Sequence, residues 1–256
     1  MSWKQAAYRA LSRARRLARV PAMPRAGLRV LLFHSVGADM PGDPYGLSFP
    51  PARFAEAMDR LAALRAGWSP RPFGPPSASR LEVSVVFDDG FKDTLTAAAP
   101  VLAERHIPFT VFVTAGFVKH GSPRHLSPAE LRRLAQQPGA SIGAHGFSHA
   151  RLTEAGDGAL EHELADSRRF LEDAIGKPVT CLSYPHGAVD RRVARAAKAA
   201  GYASGGTSRY GLNAADRDPL LLCRTEITAF DTLEDFELKL RGHWDWFRCR
   251  HRDPAA

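Results

Sequence analysis

The chain has 256 residues, 45% of them apolar and 24% charged, with a formal net charge of +8. That length suits one large α/β domain or two small ones, and the composition is that of a globular protein rather than a disordered or fibrous one. No apolar run is long enough to span a bilayer, and three cysteines without Cys-x-x-Cys spacing point to reduced thiols rather than a disulfide framework or zinc knuckle.

The positive charge is localised. Residues 1–29 hold eight Lys/Arg and no acid, which leaves 27 basic against 27 acidic residues in the rest. A balanced body offers no electrostatic footprint for nucleic acid, so none is expected as a partner. Residues 2–19 read as a basic amphipathic helix, because Trp3, Ala7, Ala10, Leu11, Ala14, Leu17 and Ala18 recur at helical spacing with arginines between them. Two readings follow: peripheral contact with an anionic membrane or a partner, or a solvated helix packed on its own domain. The arginines interrupt any secretory-signal centre, though a mitochondrial-type targeting peptide has a similar composition. The expected compartment is the cytoplasm or the periphery of the inner membrane rather than the exterior. Pro21 and Pro24 end the segment, dividing the chain into a helix at 1–24 and a globular domain at 25–256.

Leu28 to Phe33 is an apolar run that predicts a first core strand, ending at His34-Ser35. A Gly/Pro/Asp-rich loop (37–50) leads to a helix over Pro51–Arg65, and a proline-rich connector fills 67–80. Val85-Val86-Phe87 then runs into Asp88-Asp89-Gly90, the pattern of a buried strand ending in a site or in a surface Asp-Gly turn. A helix (Thr94–Glu104) and a strand (Pro108–Thr114) follow. Ser127-Pro128-Ala129-Glu130 is a capping box opening a helix to about Gln137. Ala140–Ala144 is a short strand entering His145-Gly146-Phe147-Ser148-His149. A helix over Asp157–Ile175 stops at Gly176, and a strand over Val179–Ser183 leads into Tyr184-Pro185-His186-Gly187. Val189–Ala200 predicts a helix, Tyr202–Ser204 and Leu220–Ile227 strands. Thr232 caps a last helix with Leu233, Phe236, Leu240, Trp244 and Phe247 as its inner stripe.

Strand and helix alternate six or seven times, which predicts parallel strands with outer helices, as a barrel or an open sheet. His34, Asp88-Asp89, His145/His149, Tyr184-Pro185-His186 and Arg224 all follow or finish a predicted strand, where such folds place their sites. Asp89 with His145 and His149 makes a one-carboxylate, two-histidine ligand set that leaves positions open for water and substrate. Zinc suits those donors, and cobalt, nickel or manganese could take the same place. Asp88, beside the metal but not on it, could take a proton from water.

Phe87-Asp88-Asp89-Gly90, His145-Gly146-Phe147-Ser148-His149 and the Tyr184-Pro185-His186-Gly187 turn resemble the signature motifs of the polysaccharide deacetylases, the NodB-homology group of carbohydrate esterase family 4, over roughly residues 28–230. The resemblance implies a deformed (β/α)7-type barrel and hydrolysis of N-acetyl groups on an amino-sugar polysaccharide or glycan precursor. It implies Asp88 as base, Asp89, His145 and His149 as ligands of one divalent metal ion, and the Tyr184-Pro185-His186 turn as source of an oxyanion N–H, from His186. Two departures stand out. Ser183 occupies the place of the family's base-orienting arginine, a role open to Arg224, and the C-terminal Leu-x-His element is absent from 220–227. Leu31-Leu32-Phe33-His34-Ser35-Val36 instead resembles the N-terminal element of the poly-N-acetylglucosamine deacetylase subgroup, which implies His34 as the acid. The competing expectations are a catalytically silent sugar-binding barrel and a deacylase or deformylase of a lipid-linked sugar. Tyr184, Phe147, Trp244 and Trp246 read as packing residues, and His106, His120, His125, His162, His243 and His251 as surface or structural.

Overall fold

The computed structural model describes residues 3–18, 26–37, 40, 42–64, 67–77 and 79–250. Pro21, Pro24, the expected boundary at 24/25 and His251 lie outside the described residues. Among the described residues eight strands pair in parallel: β1 (Gly27–Phe33), β2 (Ser69–Pro70), β3 (Leu81–Phe87), β4 (Phe109–Val113), β5 (Ala140–Ala144), β6 (Cys181–Ser183), β7 (Ser204–Gly206) and β8 (Thr225–Glu226). Their order is β7-β6-β5-β4-β3-β1-β8, with β2 an extra two-residue strand beside β3, inside the connector expected to be irregular. Leu222 bridges Gly206 of β7, and three residues later β8 pairs with Leu31 and Leu32 of β1. The last segment therefore joins both edges, and seven strands curl into the expected parallel barrel.

The helices are α1 (Trp3–Leu17), α2 (Pro51–Ala63), α3 (Ala99–Glu104), α4 (Ala115–Lys119), α5 (Pro128–Leu134), α6 (Asp157–Glu161), α7 (Ser167–Ile175), α8 (Arg191–Ala199) and α9 (Leu233–Leu240). The Ser127–Glu130 capping box opens α5, with both reciprocal bonds formed. The helix expected over 157–175 is α6 and α7 joined by a π-turn at His162–Asp166, and it ends on left-handed Gly176. A second π-turn, Thr94–Ala98, precedes α3.

Three expectations need correction. The strand expected at Tyr202–Ser204 sits two residues later. Leu220–Ile227 is not one strand: a 3-10 turn occupies Pro219–Leu221, and the Asn213 side chain takes both backbone groups of Cys223, at 2.7 and 2.9 Å, that a ladder would use. The last helix stops at Leu240 because Gly242 turns the chain at φ 82°, which leaves Trp244 and Phe247 beyond it. Those two rings with Tyr210 and Tyr8 form a separate cluster.

Side chains alternate along the strands, and this divides the core into two layers. Leu28, Val30, Leu32, Val86, Phe112, Cys181 and Leu222 fill the barrel interior. Leu31, Phe33, Val85, Phe87, Phe109 and Val111 face outward under the helices, where Phe33 meets Phe54 of α2 edge-to-face at 5.3 Å. Each such aromatic pair adds about 0.5–1.5 kcal/mol beyond burial. Gly143 keeps the interior layer possible, since a Cβ there would lie 2.5 Å from Phe112 and 2.8 Å from Cys181 Sγ.

Candidate active site

The same period of two carries the polar groups inward where the strands end. His34 follows Leu32, Asp88 follows Val86, His145 follows Gly143, Ser183 follows Cys181 and Arg224 follows Leu222, each two residues beyond an interior position. The parallel register sets Phe33 beside Phe87, and the Asp88 N–H donates to the Phe33 carbonyl at 3.0 Å, so His34 and Asp88 emerge as neighbours. They line one cleft of about 390 Å³ with Asp89, His145, His149, His186 and Arg224. Tyr45, Leu47, Arg151, Ser208, Tyr210, Glu226 and Phe247 complete its walls.

Asp89 breaks the alternation. As the next residue it would point outward, but its backbone is left-handed at φ 71°, which turns its carboxylate back toward the cleft. His149 at φ 66° and His186 at φ 57° share this unusual backbone. Three of the four non-glycine residues with positive φ among the described residues therefore border one cleft, where such strain is characteristic of a functional site. The Asp89 Oδ1 atom lies 3.3 Å from His145 Nε2 and 3.2 Å from His149 Nε2, and ligand atoms of the three residues fall within 4.8 Å of one another. Asp89 Oδ1 is buried with no hydrogen-bond partner, a costly arrangement unless a cation completes it. His145 Nδ1 meets the Ser183 carbonyl at 2.8 Å, which leaves Nε2 bare for a ligand bond. The residues present thus fit a divalent cation: one carboxylate and two imidazoles on one side, open cleft on the other.

The titrating groups agree with a site built for positive charge. Burial alone would push Asp89 up, but the close approach of His145 and His149 and the charge of His34 hold it well below the usual carboxylate range. Burial likewise opposes charge on His145, yet Asp88 and Asp89 outweigh it and raise the imidazole.

Asp88 is almost fully buried and separately held. Ser183 Oγ donates to its Oδ2 at 3.0 Å, and Arg224 Nη1 to its Oδ1 at 2.8 Å. Burial would raise this carboxyl; the charges of Arg224, His145 and His34 prevail and keep it below its ordinary value. Arg224 is itself buried, with Nε on the Thr207 carbonyl at 2.8 Å. Gly206 makes room for it, because a Cβ there would sit 2.7 Å from Arg224 Cδ.

Of the three turn residues, only His186 reaches the cleft. Tyr184 is fully buried, its hydroxyl bonded to the Leu220 carbonyl, and Pro185 is buried too. Tyr184, Gly187 and Ala188 each commit their N–H to a carbonyl and Pro185 has none, which leaves the N–H of His186. Phe147 packs against the core, as expected. His125, expected to be surface or structural, stacks between Phe91 (4.7 Å) and Phe117 (4.4 Å), and Phe117 lies 6.0 Å from His149. Burial lowers its imidazole.

Sequence reasoning missed Glu163. This carboxylate, 4% exposed, projects from the π-turn and accepts from the Phe147 N–H (2.7 Å), the Ser148 N–H (3.0 Å) and the Ser148 hydroxyl. It clamps the loop between the two histidines, and Gly146 lets it approach, since a Cβ there would lie 2.8 Å from Oε2. A signal existed: Glu163 shares the buried helical face of Leu160, Ser167 and Leu171, where an acid needs a partner. Glu163→Gln puts an amide against N–H donors. We expect cation affinity, measured by calorimetric titration, to fall by about 10–100-fold, with a melting temperature only modestly lowered; unchanged affinity would refute the clamp.

Residues 76–205 match the family model described as polysaccharide deacetylase. YxkH of Bacillus subtilis is 29% identical over 146 residues, 57% of this chain and 51% of its own length. The peptidoglycan-N-acetylglucosamine deacetylase PgdA of Listeria monocytogenes is 25% identical over 123 residues, 48% of this chain but 25% of its own. The chain thus spans about half the length of the first relative and a quarter of the second. Among solved structures, BC0361, a polysaccharide deacetylase from Bacillus cereus, superposes with a TM-score of 0.74 at 26% identity, covering 84% of this chain and 69% of that one.

Proposed function

The chain belongs to the polysaccharide deacetylase family, and from that premise we propose that it is a metal-dependent hydrolase that removes N-acetyl groups from an amino-sugar glycan. One observation carries the reading: Asp89, His145 and His149 converge to within 4.8 Å beside a second carboxylate, Asp88, that is bonded elsewhere. A divalent cation held by those three residues, zinc suiting them best, would lower the pKa of water and polarise the acyl carbonyl. Asp88 takes the proton from water as oxygen attacks the acyl carbon. Its depressed pKa keeps it ionised and ready at neutral pH. The His186 N–H meets the negative charge that develops on the acyl oxygen. As the carbon–nitrogen bond breaks, His34 gives a proton to the departing nitrogen, so acetate and a free amino sugar result. The rings of Tyr45, Tyr210 and Phe247 in the cleft wall suit the apolar faces of pyranose rings, and Arg151, Ser208 and Glu226 their hydroxyls.

The silent-barrel reading rested on the missing arginine at Ser183. Arg224, which lies just before β8 rather than at the end of a strand as expected, supplies a guanidinium to Asp88, so that reading loses its motivation. The test is acetate release from N-acetylated chito-oligosaccharides and peptidoglycan fragments. Release should vanish on chelation and return when zinc or cobalt is restored. Persistence after metal removal, or glycan binding without turnover when metal is replete, would overturn the proposal.

A further inference from the structure

Helix α1 is mounted inside out. Hydrophobic burial would turn its apolar stripe toward the barrel, but the helix docks through its polar face. Ser12 is fully buried and accepts from Trp246 Nε1 at 3.1 Å, Arg9 pairs with Asp235 at 2.8 Å, and Tyr8 packs edge-on against Trp246 and Phe247. The stripe of alanines and leucines faces solvent instead, with Leu11 46% and Leu17 84% exposed. These residues occupy an arc of roughly 120° opposite the buried face. α1 carries Lys4, Arg9, Arg13, Arg15 and Arg16 and no acid.

α1 also lies near the cleft, since Tyr8 packs on Phe247, which lines it. Among the described residues the exposed large apolar side chains are Leu11, Leu17, Tyr45 and Phe230. Arg9 donates to the Phe230 carbonyl, the Phe230 ring covers Gly46, and neighbouring Tyr45 lines the cleft. From this geometry we propose that α1 is an interfacial helix that seats the protein on an anionic lipid bilayer. Its alanine–leucine face enters the headgroup boundary, Arg15 and the half-exposed Arg13 and Arg16 reach lipid phosphates in competition with Glu234 while Arg9 stays on Asp235, and the cleft opens beside the membrane. Among the described residues no helix is long and apolar enough to cross a membrane, so this contact lies on the surface. A second copy of the chain is the poorer occupant: two α1 stripes face to face would bring together two helices that carry five cations and no acid each, offset only by Glu234 and Asp235 of α9.

The test is co-sedimentation of the full chain with vesicles of phosphatidylcholine alone or with about 30% phosphatidylglycerol. The protein should partition onto the anionic vesicles only, and less so at high salt. The double variant Leu11→Glu, Leu17→Glu, at two exposed positions, should lose roughly tenfold or more of that partition, with unchanged melting temperature. Partition unaffected by the double variant, absence of partition onto anionic vesicles, or a dimer in sedimentation equilibrium that the variant dissolves would each overturn the proposal. Partition is read without turnover, so it stands or falls apart from the deacetylase reading.

Discussion

Asp89→Asn should lower acetate release by about 10³-fold or more and weaken binding of zinc or cobalt to match. The substitution keeps the size and shape of the side chain and removes its charge, the only formal negative charge among the three converging ligands. An imidazole that ligates a metal does so in its neutral form, so the carboxylate, 3.3 and 3.2 Å from the two ring nitrogens, carries the electrostatic attraction for a cation. His145→Ala should be as severe for a different reason: the 2.8 Å bond from Nδ1 to the Ser183 carbonyl fixes one tautomer, and removing the ring takes away an oriented ligand rather than a charge. The neighbouring histidines hold the Asp89 carboxyl well below its ordinary range, so its charge contributes stability at neutral pH and the Asn variant should melt somewhat lower than the parent without metal while remaining folded. Calorimetric titration and the visible spectrum of the cobalt form read metal binding directly. Parent-like cobalt binding by Asp89→Asn would show that the three side chains do not share an ion.

Much of this arrangement is legible in the amino-acid sequence. Each expected core strand end carries a polar residue, and alternation along β1, β3 and β5 tells which neighbours face together. What a single sequence does not encode directly is register between strands. Nothing in the local pattern around Leu220–Ile227 says that Asn213 will occupy the backbone of Cys223 and cut the strand to two residues. The same non-local packing explains Gly205-Gly206. Each lacks a side chain because Tyr184 and Arg224 fill the space, at 2.7 Å from a would-be Cβ in both cases. Glycines read alone mark only a loop. At the 184–187 turn the letters single out His186 as the N–H donor only through the family resemblance; burial and hydrogen-bond commitments give the physical reason that separates it from Tyr184 and Pro185. The amphipathic pattern of α1 is plain in its letters, but the face that docks is opposite to the one hydrophobicity favours, because ion pairs with α9 and the Trp246–Ser12 bond decide the orientation.

Removing the guanidinium partner of Asp88 should shift the pH profile as well as the rate. Asp88 acts as a base only when ionised, and its carboxyl is held below its ordinary value against a strong burial penalty, chiefly by Arg224. In Arg224→Met the burial penalty remains and the nearest positive charge is gone, so the carboxyl pKa rises. The acid limb of kcat/KM therefore moves to higher pH, and the loss is larger at pH 5 than at pH 8. A buried carboxylate stripped of its partner costs about 3–5 kcal/mol of stability, so the melting temperature must be followed. Ser183 Oγ, still 3.0 Å from Oδ2, leaves Asp88 one bond and favours a folded variant. Gly206→Ala probes the same contact with all charges in place: its Cβ would press on Arg224 Cδ and draw the guanidinium off Asp88, giving a smaller shift in the same direction. Arg224→Lys keeps the charge but cannot hold the Thr207 carbonyl and Asp88 together, and should recover part of the acid limb. An acid limb identical in the parent and a folded Arg224→Met enzyme would mean that Asp88 is not the group whose ionisation governs turnover.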